Sequence, residues 1–302
     1  MSILVVGSVA LDSIKTPFGE VKEALGGSAV YFSYAASFFS PVRVVAVVGK
    51  DFPEEHLKLL EDKGISVEGL EKVEGRTFRW TGSYENDMNS ARTHSTELNV
   101  FQDFDPKIPA KYQNTPHVFL ANIDPDLQLR VLEKMKKPKL IGCDTMNLWI
   151  STKPESLEKL LKKVDFFLLN EGEARQLTGI TNLIKAGKDI LKRGPKGVVI
   201  KKGEHGAILM TKKHFFLAPA YPVEAVLDPT GAGDCFAGGF FSSLARSGKY
   251  WDGTALRQSV IFGTLMASFN VESFSLERLK KVTPKEIRAR FNTFRKHTRI
   301  PG

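Results

Sequence analysis

A three-layer α/β/α fold on a mostly parallel sheet, with a small β-sheet lid, follows from three features of this 302-residue chain. Short apolar, β-branched runs alternate with amphipathic stretches, the pattern of βαβ units whose strands are covered on both faces. The longest apolar runs, at 44–48 and 166–169, are strand-sized and far from the roughly 20 residues that span a bilayer. Two polar, turn-bearing segments, about 12–25 and 76–104, break the rhythm and supply the lid.

Taken in order, the runs 3–9, 42–48, 117–120, 140–143, 166–169 and 198–200 read as buried strands. The segments 28–38, 54–63, 126–136, 154–163, 171–178 and 182–192 read as helices. Leu57, Leu60 and Ile65 among charged neighbours give the second of these an apolar side, with Gly64 at its end. Turn chemistry at Thr16-Pro17 and Phe18-Gly19 folds the first lid segment. The second is threonine-rich and reads as a hairpin about Asn86-Asp87-Met88-Asn89. Both would cover the carboxyl ends of the parallel strands, where open α/β sheets bind ligands. An ordinary surface hairpin is the other reading of 76–104. Beyond Gly231 the chain is helix-rich, and it carries no fixed-period repeat.

Composition narrows the functional classes. Hydrophobic residues make up 42% and charged residues 25%, as in a soluble globular protein. Two cysteines, Cys143 and Cys235, give neither a disulfide framework nor a zinc-binding spacing. The chain enters a strand at once, without a basic stretch and cleavable apolar segment, so a cytoplasmic location is expected. Lys and Arg total 43 against 34 acidic residues, a net +9. That charge suits a solvated basic surface or attraction of anionic small molecules such as nucleotides. The lysines lie in scattered pairs rather than one basic arm, so neither a nucleic-acid nor a membrane partner is expected.

The chemistry concentrates at 227–240. An apolar run, 223–227, leads as a strand into Asp228-Pro229-Thr230-Gly231-Ala232-Gly233-Asp234, and a helix carrying Phe236, Phe240 and Leu244 follows. Glycines at 231 and 233 permit positive φ and close backbone approach. The first N–H groups of a helix have no intrahelical acceptor and its dipole favours an anion there. This turn is therefore suited to a transferring phosphoryl group. Asp234 is placed to take a proton from an attacking hydroxyl; a helix-capping acid is the other reading. No Gly-x-x-x-x-Gly-Lys-Ser/Thr phosphate loop occurs, and Gly7-Ser8-Val9-Ala10 is not a dinucleotide-binding turn.

These residues resemble the ribokinase-like (PfkB) family of carbohydrate and nucleoside kinases over nearly the whole chain. The C-terminal signature is 228–234. The N-terminal one is Gly26-Gly27-Ser28-Ala29, after a first strand ending in Gly7-Ser8-Val9-Ala10-Leu11-Asp12. Between them, Asn170-Glu171-Gly172-Glu173 matches an N-x-x-E motif. The resemblance implies one ribokinase-like kinase domain over 1–302, using ATP and Mg²⁺. By it, Asp234 is the catalytic base and the backbone of Gly231, Ala232 and Gly233 the anion hole. Asn170 and Glu173 would organise Mg²⁺ through water, a reading compatible with a capping box at the same residues. Asp12, Gly26 and Gly27 would seat the acceptor, with Tyr31 stacking on it or merely packing. Lys201, Gly203 and Gly206 align with the nucleotide loop, Lys201 standing where the family carries a small hydroxyl residue. The helix 256–269 would wall the adenine near Phe262 and Gly263, or these residues are plain core. Asp144 and Asn147 are secondary candidates at a strand end.

The acceptor expected is a sugar-like hydroxyl, or alternatively that of a nucleoside. In the lid, Arg79, Asn89, Arg92 and Thr93 would suit a sugar, while Phe78 and Trp80 would suit a base. A non-catalytic sensor is disfavoured by the intact Asp234. An uncovered lid sheet would permit a homodimer.

Overall fold

The computed structural model describes residues 1–85 and 88–298; Asn86 and Asp87 of the expected lid turn lie outside them. The chain opens with β1 (Ile3–Val6), leaves for the lid strands β2 (Ala10–Thr16) and β3 (Gly19–Gly26), and returns through α1 (Ser28–Ala36). It continues through β4 (Val42–Gly49), α2 (Glu54–Asp62) and β5 (Ile65–Val73), then the lid hairpin β6 (Phe78–Tyr84) and β7 (Ala91–Glu97). Next come β8 (His117–Leu120), α3 (Pro125–Lys134), β9 (Leu140–Asp144), α4 (Asn147–Thr152), α5 (Pro154–Leu161) and β10 (Phe166–Asn170). After α6 (Glu171–Thr178), α7 (Leu183–Arg193) and β11 (Gly197–Lys201), the strands β12 (Ala207–Thr211) and β13 (Phe215–Ala218) close the main sheet. The helices α8 (Ala232–Ser247), α9 (Gly253–Asn270) and α10 (Pro284–His297) end the chain.

The main sheet has nine strands in the order β13-β12-β11-β10-β9-β8-β1-β4-β5. Pairing is parallel from β11 through β5, and β12 and β13 are antiparallel at one edge. Both faces are dry. Ile3, Val5, Val44, Ala46, Phe166 and Leu168 join one buried cluster with α1, α8 and α9. Leu4, Val6, Val45, Val47, Phe167 and Leu169 join the other, with residues of α3, α5 and α7. Period-two alternation between two apolar layers explains why these strands read as unbroken apolar runs.

The chain moves outward from β1 to β4 and β5 on one side, and from β8 to β9, β10 and β11 on the other. The order therefore reverses between β1 and β8, which is where a doubly wound sheet opens its ligand crevice. The lid is a four-stranded sheet, β3-β2-β6-β7, in which β2 and β6 run parallel and the other pairs antiparallel.

Several sequence expectations need correction. The strand expected over 3–9 stops at Val6, because Ser8 turns its N–H to the Ser28 hydroxyl at 3.2 Å. The run 223–227 is no strand: it lies half-exposed along the end of α9, with the Leu227 N–H on the Val271 carbonyl at 2.8 Å. Ile65 belongs to β5, not to the helix before it.

Candidate active site

The turn before α8 is built so that only glycine fits at 231. Gly231 has φ 74° and ψ 0°, and a Cβ there would overlap the Tyr31 ring. The fully buried Asp228 accepts the Thr230 N–H at 2.9 Å and the Ser275 N–H at 3.3 Å. The Asn270 amide donates to the Thr230 carbonyl at 2.7 Å and pins the turn from beneath. Ala232 turns its N–H back to Pro229 at 3.1 Å, and the first helical bond runs from Cys235 to Gly231 at 2.8 Å. The helix thus leaves the Gly233 and Asp234 N–H groups without an intrahelical acceptor, facing whatever anion arrives. Replacing Gly231 with Ala is expected to cost about 2–4 kcal/mol, from the left-handed backbone and the collision with Tyr31 together. Denaturant unfolding measures it.

Asp234 is the third residue of α8 and makes no capping bond, so the capping role open from the sequence is not the one it fills. Burial pushes its carboxyl up to about 8; Asp144, Asp12 and Glu173 add to this, and Lys201 works against it. A carboxyl with such a value exchanges its proton near neutral pH.

Lys201 is the cation of the site. Its side chain is 15% exposed and its Nζ donates to Asp144 Oδ2 at 2.7 Å. A Cβ on Gly233 would lie 3.2 Å from that Nζ, so the ammonium stands beside the first turn of α8. Burial opposes its charge, but Asp144 and Glu173 outweigh burial and raise its pKa. The other oxygen of Asp144 accepts the Thr145 N–H at 2.8 Å.

Asn170 and Glu173 form a reciprocal capping box on α6, with bonds of 2.8 and 2.7 Å. Burial raises Glu173 to about 7, eased by Lys201 and reinforced by Asp144. Among the described residues, no group of three His, Cys, Asp or Glu side chains could hold a metal ion. The Asn170 amide and Glu173 carboxylate oxygens are hard donors of the kind Mg²⁺ takes, and both are engaged in the capping box. Asn147 sits apart, exposed, bonding its own helix start and Gln176.

Where the resemblance would seat the acceptor, Asp12 is 4% exposed and lies directly over Gly26, where any Cβ would overlap its carboxylate. Gly27 has φ 97°. Burial pushes Asp12 up to about 7; the Asp228 carboxylate raises it further and the Gly27 N–H draws it down. Tyr31 is 1% exposed with its ring against Gly231, so a stacking face is not on offer. Its hydroxyl is buried without a partner among the described residues.

Two nucleotide-contact candidates take part in packing, the other reading open for them. Phe262 stacks on Phe291 with ring centroids 5.0 Å apart and meets Phe39 edge-on at 5.1 Å. A Cβ on Gly263 would come within 2.8 Å of the Phe236 carbonyl, so this glycine lets α8 and α9 approach closely. Gly203 and Gly206 do shape a tight loop, with φ 52° and 84°, closed by the Lys202 N–H on the Gly206 carbonyl at 2.7 Å.

The lid reaches across both ends. The Tyr84 hydroxyl lies 3.2 Å from Thr230 Oγ1, and Asn89 Nδ2 donates to Glu204 Oε1 at 3.3 Å on the glycine loop. Most lid side chains expected to face ligand are tied down. Arg79 is paired with Glu23 and Asp51, at 2.7 and 2.8 Å. Trp80 donates to Thr93 at 3.2 Å, and Phe78 stacks on Phe101. Arg92 is exposed on β7. Sequence reasoning missed Tyr84, whose hydroxyl sits on the turn before α8.

The profile of the pfkB family carbohydrate kinases matches residues 2–280. This chain belongs to the PfkB family. It is accordingly a phosphotransferase with a hydroxyl acceptor, an ATP-dependent sugar or nucleoside kinase. Among curated PfkB relatives, a cytidine kinase of Thermococcus kodakarensis is 29% identical over 253 residues, 82% of this chain and 89% of that protein. The crystal structure of the Methanocaldococcus jannaschii nucleoside kinase shares the fold, with TM-score 0.78, 22% identity and coverage of 97% and 98% of the two chains. So does a Burkholderia thailandensis nucleoside kinase in complex with ADP-inosine, with TM-score 0.78 and 18% identity over 96% of this chain and 95% of that one. No helix among the described residues is long and apolar enough to cross a membrane.

Proposed function

We propose that this PfkB protein phosphorylates a sugar hydroxyl of a nucleoside, with Asp234 as the base. The observation that carries the reading is the placement of Asp234: a carboxylate on the first turn of α8 that caps nothing, near enough to Lys201 and Asp12 for both to act on its charge. Asp12 accepts hydrogen bonds from acceptor hydroxyls, and Gly26 leaves room for its carboxylate to lie against the backbone. Asp234 draws the proton from the attacking hydroxyl. The Gly233 and Asp234 N–H groups and Lys201 hold charge that grows on the transferring phosphoryl. Mg²⁺ carried by ATP would neutralise phosphate charge, with Asn170 and Glu173 beside it. The closed lid excludes water, which limits transfer to water instead of acceptor.

A nucleoside is favoured over a free sugar for two reasons. A free sugar needs many polar partners, and the lid's Arg79, Trp80 and Thr93 are already bonded within the protein. The likeness to the T. kodakarensis cytidine kinase also spans most of both chains. The fully exposed strand β7 at the lid edge leaves room for pairing with the lid of a second copy.

The test is ADP formation from ATP with Mg²⁺ against ribonucleosides, deoxyribonucleosides, ribose and deoxyribose. Turnover stimulated by nucleosides and not by the free pentoses is expected. Stimulation by free pentoses alone would replace the nucleoside reading with a pentose one.

A further inference from the structure

The crevice between β1 and β8 holds a polar side chain with no role so far. Asn122 follows β8, next to the point where strand order reverses. On one side of β8, β1 runs into Ser8, whose hydroxyl accepts the Ser28 N–H at 3.0 Å directly after Gly26 and Gly27. On the other, β9 ends in Asp144, the partner of Lys201. The Ser28 hydroxyl lies 3.5 Å from the Asn122 carbonyl, tying this residue to the acceptor seat. Asn122 thus stands between the acceptor seat and the charged cluster, and it is half-buried.

Its orientation is fixed by chemistry. Trp149 Nε1 lies 2.9 Å from Asn122 Oδ1. An indole nitrogen only donates, so the atom it meets must be the amide oxygen. The Nδ2 group is then held pointing elsewhere, and among the described residues it meets no acceptor. An amide kept from flipping presents its two Nδ2 donors in one fixed direction, while Oδ1 stays turned to the indole.

We infer that Asn122 is a specificity-determining residue that donates to a base carbonyl or unprotonated ring nitrogen of the nucleoside, and that Trp149 is its positioning residue. The inference rests on the nucleoside reading above. It explains how the site can select a base without a free aromatic face at Tyr31. A site built to hydrogen-bond one substrate atom discriminates strongly, because an unmatched buried donor is costly.

The experiment uses Asn122→Asp and Trp149→Phe in the full-length enzyme. Asp keeps the size and can still accept from Trp149, but turns an acceptor toward the base. Asn122→Asp should raise the nucleoside KM by about 10–100-fold with kcat changed little and the ATP KM unchanged. Trp149→Phe, which frees the amide to flip, should raise the same KM by about 3–10-fold. Calorimetric binding of cytidine, uridine, adenosine and inosine should show the same ratios without turnover. Binding of ribose should not distinguish the variants from wild type. Equal nucleoside affinity in wild type and Asn122→Asp overturns the inference, and so does an equal loss for ribose. Absence of stimulated turnover in the wild type, with the calorimetric ratios intact, would instead count against the kinase reading alone.

Discussion

Asp234→Asn is expected to lower kcat by about 10³-fold or more, the upper part of the range for loss of a positioned base, while the ATP KM stays within about twofold. The amide keeps the shape and the first-turn N–H groups, so binding survives and only proton removal is lost. Wild-type kcat/KM for the acceptor should climb with pH and level off near 8, because burial and the Asp144 carboxylate hold the base protonated below that. The variant should lack this limb. The same substitution should stabilise the ligand-free protein in alkaline solution. With a folded pKa near 8 against an ordinary value near 4, the native state binds the extra proton between those two values. Stability from this group is therefore full below about pH 4 and lost as pH rises through 8. Asp234→Asn removes that loss, so its thermal midpoint should exceed wild type by a few degrees at pH 8–9 and match it near pH 4.

Lys201→Met is expected to be damaging in two separable ways. It removes the ammonium beside Gly233, which should cost about 10²–10³-fold in kcat/KM for ATP. It also strands Asp144, which is 4% exposed, and breaking such a pair costs on the order of 3–5 kcal/mol. Combining it with Asp144→Asn removes the stranded charge, so the double variant should regain most of the stability and none of the rate. A double variant that regains rate as well would make the pair merely structural. Asp144→Asn alone should act differently. It takes away a negative neighbour of Asp234 and leaves Lys201 free to approach it, so the rising limb of the pH profile should move below 8.

The parallel strands were legible because each is covered on both faces: 44–48 and 166–169 are apolar at every second residue for one layer and at the rest for the other. The lid and edge were harder. Strand β7 is exposed along its whole length, so it carries no burial pattern to read. The run 223–227 misled because apolar residues also line a helix end, and its hydrogen bonds go to Val271 and not to a sheet neighbour. In the site, the Gly231 and Asp234 pattern was plain because both the left-handed turn and the helix start are local. Phe262 and Gly263 stayed open between two readings because a helix crossing and a ligand wall ask for the same small and aromatic residues. Lys201 with Asp144, 57 positions apart, and Asn122 with Trp149 become pairs only when neighbouring strand ends are brought together. Neither pairing leaves a mark in sequence spacing.

The most direct test of the central claim is a phosphorus NMR time course with ATP, Mg²⁺ and a nucleoside. Transfer at Asp234 predicts ADP and a nucleoside phosphomonoester rising in equal amounts, with both absent in Asp234→Asn. Inorganic phosphate in place of the ester, or the same ester formed by Asp234→Asn at the wild-type rate, would contradict it.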